Sequence, residues 1–332
     1  MRIDGCELAV DAVHLAPLQR KAPEDDWAAA RDSGALPGAV YLFYQKTMFL
    51  SFNAAPRYLN DEAHVLFSYL GMLLRGLKES FAETEETLAA FVGEQSHVYD
   101  PGKKAKGEQW DSDADWKARR HWRHCLFALH NSLDLVADLA ALMLTGVIPR
   151  LRLGKAEFTR VEEWLKEPLK TQGRLITPAQ DVAARLHADL GCLVVSKGSE
   201  RGWLPYLRHL RNKAAHLGDA TFREFGLHDK NLDFYVFIPR IWPLIWEQEI
   251  KPHSKTKAGA KTNMPEALRK TLIHEDIVSF TRGAVAKVRA IVECGVQLMS
   301  DYYTQSSEFP LNRAALEELD GSSSRFTFEH FV

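Results

Sequence analysis

The chain has 332 residues and a mass of 37.6 kDa, enough for one large domain or two of ordinary size. Hydrophobic residues make up 46% and charged residues 26%, with a mean hydropathy of −0.25, a soluble globular composition that excludes wholesale disorder and a fibrous repeat. The 42 Lys and Arg against 44 Asp and Glu leave a net charge of −2, so no whole-chain positive field draws nucleic acid, and any such binding must be local.

The first segment, MRIDGCELAVDAVHL, mixes acids into its apolar positions and lacks the basic-then-apolar order of a signal peptide. No apolar run reaches the ~18 residues that span a bilayer, so neither export nor membrane insertion is expected. Cys6, Cys125, Cys192 and Cys294 lie far apart with no C-x-x-C, which fits reduced thiols and a cytoplasmic location. Residues 1–58 carry Pro17, Pro23, Pro37 and Pro56 around a dense apolar stretch, Ala39 to Phe52, that fits a strand or a short buried helix. From Asn60, an N-cap residue type, the next ~35 residues lack proline and place Leu66, Leu70, Leu73, Leu77 and Phe81 at helical spacing, predicting one long amphipathic helix.

Residues 98–116 are polar, contain Pro101 and Gly102, and read as an exposed linker. The helix predicted over 116–145 carries Trp122, Leu126, Leu129, Leu133, Val136, Ala140 and Met143 at steps of four and three, a seam that must face other helices, and Gly146 and Pro149 stop it. Shorter helices follow near 156–166, from Pro178 to about Val195, and from about Gly202 to His216. Residues 232–250 are rich in aromatic and β-branched side chains but hold Pro239 and Pro243, predicting a small edge hairpin. A basic loop over 251–265 follows, then a last long helix from Glu275 to about Tyr303 and a tail with GSSS at 321–324. The expected organisation is a mostly α protein: an N-terminal helical extension (1–115) with one long helix, a helical bundle (116–305) holding the hairpin and basic loop as an insertion (232–265), and a C-terminal tail (306–332).

Chemistry concentrates in YLRHLRNKAAHLGD, Tyr206 to Asp219. At 100° per residue, Leu207, Leu210, Ala214 and Leu217 form one apolar stripe, Arg208, His209, Asn212 and His216 fall opposite, and Arg211 lies between the faces. An imidazole titrating near ~6.5 moves a proton at neutral pH, and a guanidinium fork holds two phosphate oxygens. These types suit phosphodiester chemistry, and no carboxylate cluster of a two-metal nuclease accompanies them, so the chemistry implied uses the 2'-hydroxyl of RNA as nucleophile without metal or other cofactor.

The R-N-K-A-A-H run at 211–216, late in a helical bundle, resembles the R-x4-6-H motif of HEPN domains, in which a polar residue, often Asn, follows the arginine. A bare Arg/His pairing at this spacing is expected about once by chance, and Arg119 with His124, Arg223 with His228 and Arg269 with His274 also satisfy it. Only 211–216 has the Asn, the amphipathic helix and a helix stop, Gly218, just beyond. The resemblance covers about residues 116–305. It implies a HEPN-like bundle, a metal-independent endoribonuclease of the toxin or phage-defence kind, Arg211 and His216 as catalytic residues with Asn212 supporting, a homodimer with a composite cleft, and an antitoxin or other regulatory protein as partner. The alternative is a catalytically silent HEPN-like module that binds RNA, a nucleotide or a protein.

Arg208 and His209 share the motif's face as candidate RNA-binding residues, and Lys251, Lys255, Lys257 and Lys261 would add salt-sensitive affinity for RNA. His121, His124 and Cys125 lie within two turns, but no third or fourth ligand accompanies a pair of them, so no metal site is expected. The basic run Lys117 to His124 fits an RNA backbone, although its Trp122 starts the apolar seam and belongs to the core. His130, Asp134 and Asp138 form a polar stripe that either polarises a histidine or faces solvent or another helix.

Overall fold

The structure, a computed structural model, describes residues 22–58, 61–98, 111–144, 146–152, 155–168, 177–194, 203–216, 224–228, 233–239 and 274–305. The described residues are mostly helical: α1 Ala22–Asp32, α2 Gly38–Tyr58, α3 Asp61–His97, α4 Ser112–Met143, α5 Phe158–Lys166, α6 Pro178–Val194, α7 Trp203–His216 and α8 Ile277–Gln305. Strands β1 Glu224–His228, β2 Asp233–Pro239 and β3 His274–Asp276 lie between α7 and α8.

The organising element is α4, whose whole predicted seam from Trp122 to Met143 is buried. It starts earlier than the sequence suggested. Asp111 is the N-cap, its Oδ1 accepting the backbone N–H groups of Asp113 and Ala114 at 3.0 Å each, which converts the end of the expected linker into helix. Gly146, with φ of 77°, takes the left-handed conformation that leads the chain away after the C-cap Leu144. By length and composition alone α4 passes as a membrane span, but 67% of that apolar window is buried inside the molecule, the condition of a core helix.

α3 runs antiparallel to α4. At Gly76 a Cβ would lie 3.2 Å from both Leu135 methyls, so the missing side chain lets the two backbones approach, and one turn on Asn131 donates to Ser80 Oγ at 2.6 Å. Leu70, Leu74, Leu77, Phe81 and Phe91 of α3 are fully buried. Burial of such side chains contributes about 1.5–3 kcal/mol each. α8 packs on α4 from another side, where Trp122 Nε1 donates to Thr281 Oγ1 at 3.0 Å and Gly295 leaves room for Val136. Trp122 is therefore core, as its place in the seam required.

The N-terminal part carries three helices, where the sequence predicted the long one and left 39–52 open between a strand and a short buried helix. The apolar stretch at 39–52 lies within α2, which buries Ala39, Val40, Phe43 and Thr47 on one side. Its start is completed from far along the chain: Glu293 of α8 accepts the Ala39 N–H at 3.0 Å, placing a carboxylate at the positive end of the helix. Gly34, two residues past the end of α1, has a φ of 73°, and Arg289 of α8 donates to the carbonyls of Gly34 (2.6 Å) and Ala35 (2.9 Å) and to Glu85 of α3 (3.2 Å). Trp27 of α1 stacks on Tyr44 of α2 with centroids 3.8 Å apart. Buried residues from Trp27 to Tyr303 form one continuous hydrophobic cluster.

The strands form an antiparallel sheet in the order β1-β2-β3. The Asp233–Pro239 strand is its middle member, where the sequence pointed to an edge. Pro239 is tolerated because it is the last residue of the strand, opposite His274, where a missing N–H interrupts no internal ladder bond. Residues 240–273, which include the rest of the expected hairpin segment, the basic loop and Lys251, Lys255, Lys257 and Lys261, lie outside the described residues, as does the tail beyond 305.

Candidate functional site

α7 buries Trp203, Leu204, Tyr206, Leu207 and Leu210, leaving Arg208 and Arg211 half-buried and Asn212 exposed. It rests on α4, and Tyr206 meets Phe280 of α8 edge to face at 5.5 Å. Packing of the apolar stripe thus turns Arg211 sideways, toward α4, and Asn212 outward. His216 is the last residue of α7; its side chain and that of His209 lie outside the described residues.

Arg211 meets His130, a residue the sequence did not connect with it. Its Nη2 lies 3.0 Å from Nδ1 and 3.1 Å from Nε2 of the imidazole. Those ring nitrogens flank Cε1, and a position in the ring plane that near to both would overlap Cε1. Nη2 therefore sits over the imidazole face, a cation on a ring. His130 itself is held in its plane by Asp134, one turn along α4, with Nδ1 3.1 Å from Asp134 Oδ2. An ionised carboxylate only accepts, so Nδ1 carries the proton of this bond.

The other oxygen of Asp134 accepts the Phe158 N–H at 2.9 Å. Phe158 opens α5, and the N-cap Glu157 offers no side-chain bond, so Asp134 serves that helix start from a neighbouring element. Burial pushes the Asp134 carboxyl up, but the hydrogen bonds from His130 and Phe158 and the charges of His130 and Arg211 outweigh it and hold the group below the usual carboxylate range. The third member of the stripe, Asp138, faces a different group: burial and the Asp138 charge push the Tyr69 phenol up.

Arg208, one turn before Arg211, is paired with Glu162 of α5. Glu162 is buried, and its second oxygen takes Lys166 at 2.6 Å. α4, α5 and α7 therefore meet in one polar junction, built from Asp134, His130, Arg211, Arg208 and Glu162, within an otherwise apolar bundle. Glu162 was missed by sequence reasoning, since nothing local marks a glutamate whose partner is 46 residues away. His130 and Asp134 were visible as an i, i+4 pair, but their relation to Arg211 depends on the packing of α4 and α7.

Among the described residues no group of three or more His, Cys, Asp or Glu side chains is placed to hold a metal ion. Cys125, on the basic segment of α4, is buried, and that burial pushes its thiol up to about 12, which makes it a packing residue and not a nucleophile. No family model, no curated protein and no solved structure matches this chain.

Proposed function

We propose that the protein is a metal-independent endoribonuclease with a HEPN-like helical bundle, acting as a cytoplasmic homodimer and serving as a toxin or phage-defence effector under an antitoxin or other regulatory protein. The observation that carries this reading is the placement of Arg211: half-exposed at the edge of α7, next to the outward-facing Asn212, on a helix whose last residue is His216. In the proposed reaction His216 moves the proton of the 2'-hydroxyl or of the leaving 5'-oxygen, Arg211 stabilises the charge that develops on the phosphorane, and Asn212 orients the imidazole or the nucleophile. The Nη2 contact with His130 is made to a ring face and Nε is buried without a hydrogen-bond partner, so a phosphate oxygen would be met by the outer nitrogens, Nη1 and Nη2.

One observation favours the silent module instead: Arg208 and Arg211 are both already engaged, by Glu162 and His130, as structural arginines are. Chemistry separates the two. Wild-type protein incubated with total RNA in EDTA is expected to produce fragments, 2'-O-methylation at the cut positions to block them, and Arg211→Ala to remove cleavage while some binding survives. A nuclease-free preparation that binds RNA and leaves it intact would decide for the module.

A further inference from the structure

Four large apolar side chains are exposed among the described residues, Leu42, Met72, Trp116 (53%) and Phe127 (36%), and both aromatic ones are on α4. At 100° per residue Trp116, Arg120, Arg123, Phe127 and Asp134 fall within about 60° of arc, turned well away from the buried seam of Leu126, Leu129 and Leu133. They form one stripe. Trp116 and Phe127 are separated by about 16 Å of helix rise, and the Arg120 guanidinium lies 5.8 Å from the Trp116 ring centroid. The first-turn acids of α4, Asp113 and the buried Asp115, are paired with Lys117 and Arg119. At its far end the stripe reaches Asp134 and the edge of His130, over which Arg211 sits.

We infer that this stripe is a binding track for single-stranded RNA that delivers the strand to Arg211. Every base has a face that stacks on an exposed aromatic ring whatever its identity, and the Arg120 guanidinium between two such rings matches a phosphate between stacked bases. A duplex keeps its base faces covered and gains only the phosphate contacts. Self-association is the rival use of exposed aromatics, and charge argues against it: an antiparallel self-contact that paired Trp116 with Phe127 would set Arg120 against Arg123 of the other copy. The track rests on the ribonuclease reading only for what happens at its end.

The test measures binding of a fluorescent 2'-O-methyl RNA strand, which cannot be cleaved by 2'-hydroxyl attack, in EDTA, with circular dichroism confirming that each variant is folded. Trp116→Ala and Phe127→Ala are each expected to weaken binding about 10-fold, and Arg120→Ala to reduce the salt slope of log K by about 0.7. Met72→Ala, on another exposed surface, should bind as wild type does, and a blunt duplex of equal length should bind less tightly than the single strand. The inference is overturned if the Trp116→Ala/Phe127→Ala double variant keeps wild-type affinity, or if it loses self-association in sedimentation while RNA affinity is unchanged. Should unmodified RNA be bound through the track yet recovered intact, the nuclease reading fails and the track stands.

Discussion

At the scale of single residues, the polar junction makes Asp134 the group with most to lose. Its carboxyl is held below the usual range, so the ionised form is favoured by folding. That contribution is present above the ordinary Asp value of ~3.9 and disappears as pH falls through the lower folded value. Asp134→Asn is therefore expected to be less stable than wild type in urea at pH 7, with the gap closing as the pH is lowered below about 4. A gap independent of pH would mean that the carboxylate's charge plays no part. His130 acts on Arg211 by contact, so His130→Leu should reduce RNA cleavage, should have no further effect in an Arg211→Ala background, and should be partly rescued by His130→Phe, which restores an aromatic face under the guanidinium. The sequence displayed all of these residue types. What it withheld is that a histidine on one helix and an arginine 81 positions later share one site, because that distance is set by the packing of α4 against α7.

At the scale of elements, periodicity and stop signals located most helices to within a few residues, since burial of a seam and interruption by Gly or Pro are local properties. The exceptions have long-range causes. α2 remained ambiguous because its apolar run is too dense to show a period, and its N-terminus is finished by Glu293 from the far end of the chain. The central position of β2 was hidden because its neighbours β1 and β3 lie on opposite sides of a long intervening segment. Two substitutions test the account of α4. Asp111→Ala removes the cap of the central helix and should cost about 1 kcal/mol in equilibrium unfolding. Gly76→Val places methyl groups where Leu135 already sits and should cost about 1–3 kcal/mol. Neutral behaviour of both would mean that α3 and α4 adjust freely, contrary to the close approach seen.

At the scale of the whole molecule, one continuous core joins the N-terminal helices to the helices that carry the motif, so the candidate site is held by α4 and α7 within that single body. A single Arg and His hold both sides of a scissile phosphate with difficulty, and a two-fold pairing of two 211–216 segments is the economical way to complete a cleft. Sedimentation is expected to show a dimer at micromolar concentration, and a strict monomer would contradict that assembly. The most direct measurement is of the ends left on RNA. Incubation of an end-labelled single strand with the wild-type protein in EDTA, followed by mass spectrometry of the fragments, should give 2',3'-cyclic phosphate and 5'-hydroxyl termini, and the folded His216→Ala variant should form them at least about 100-fold more slowly. Intact RNA with wild type, 3'-hydroxyl termini, or undiminished cleavage by His216→Ala would contradict the account.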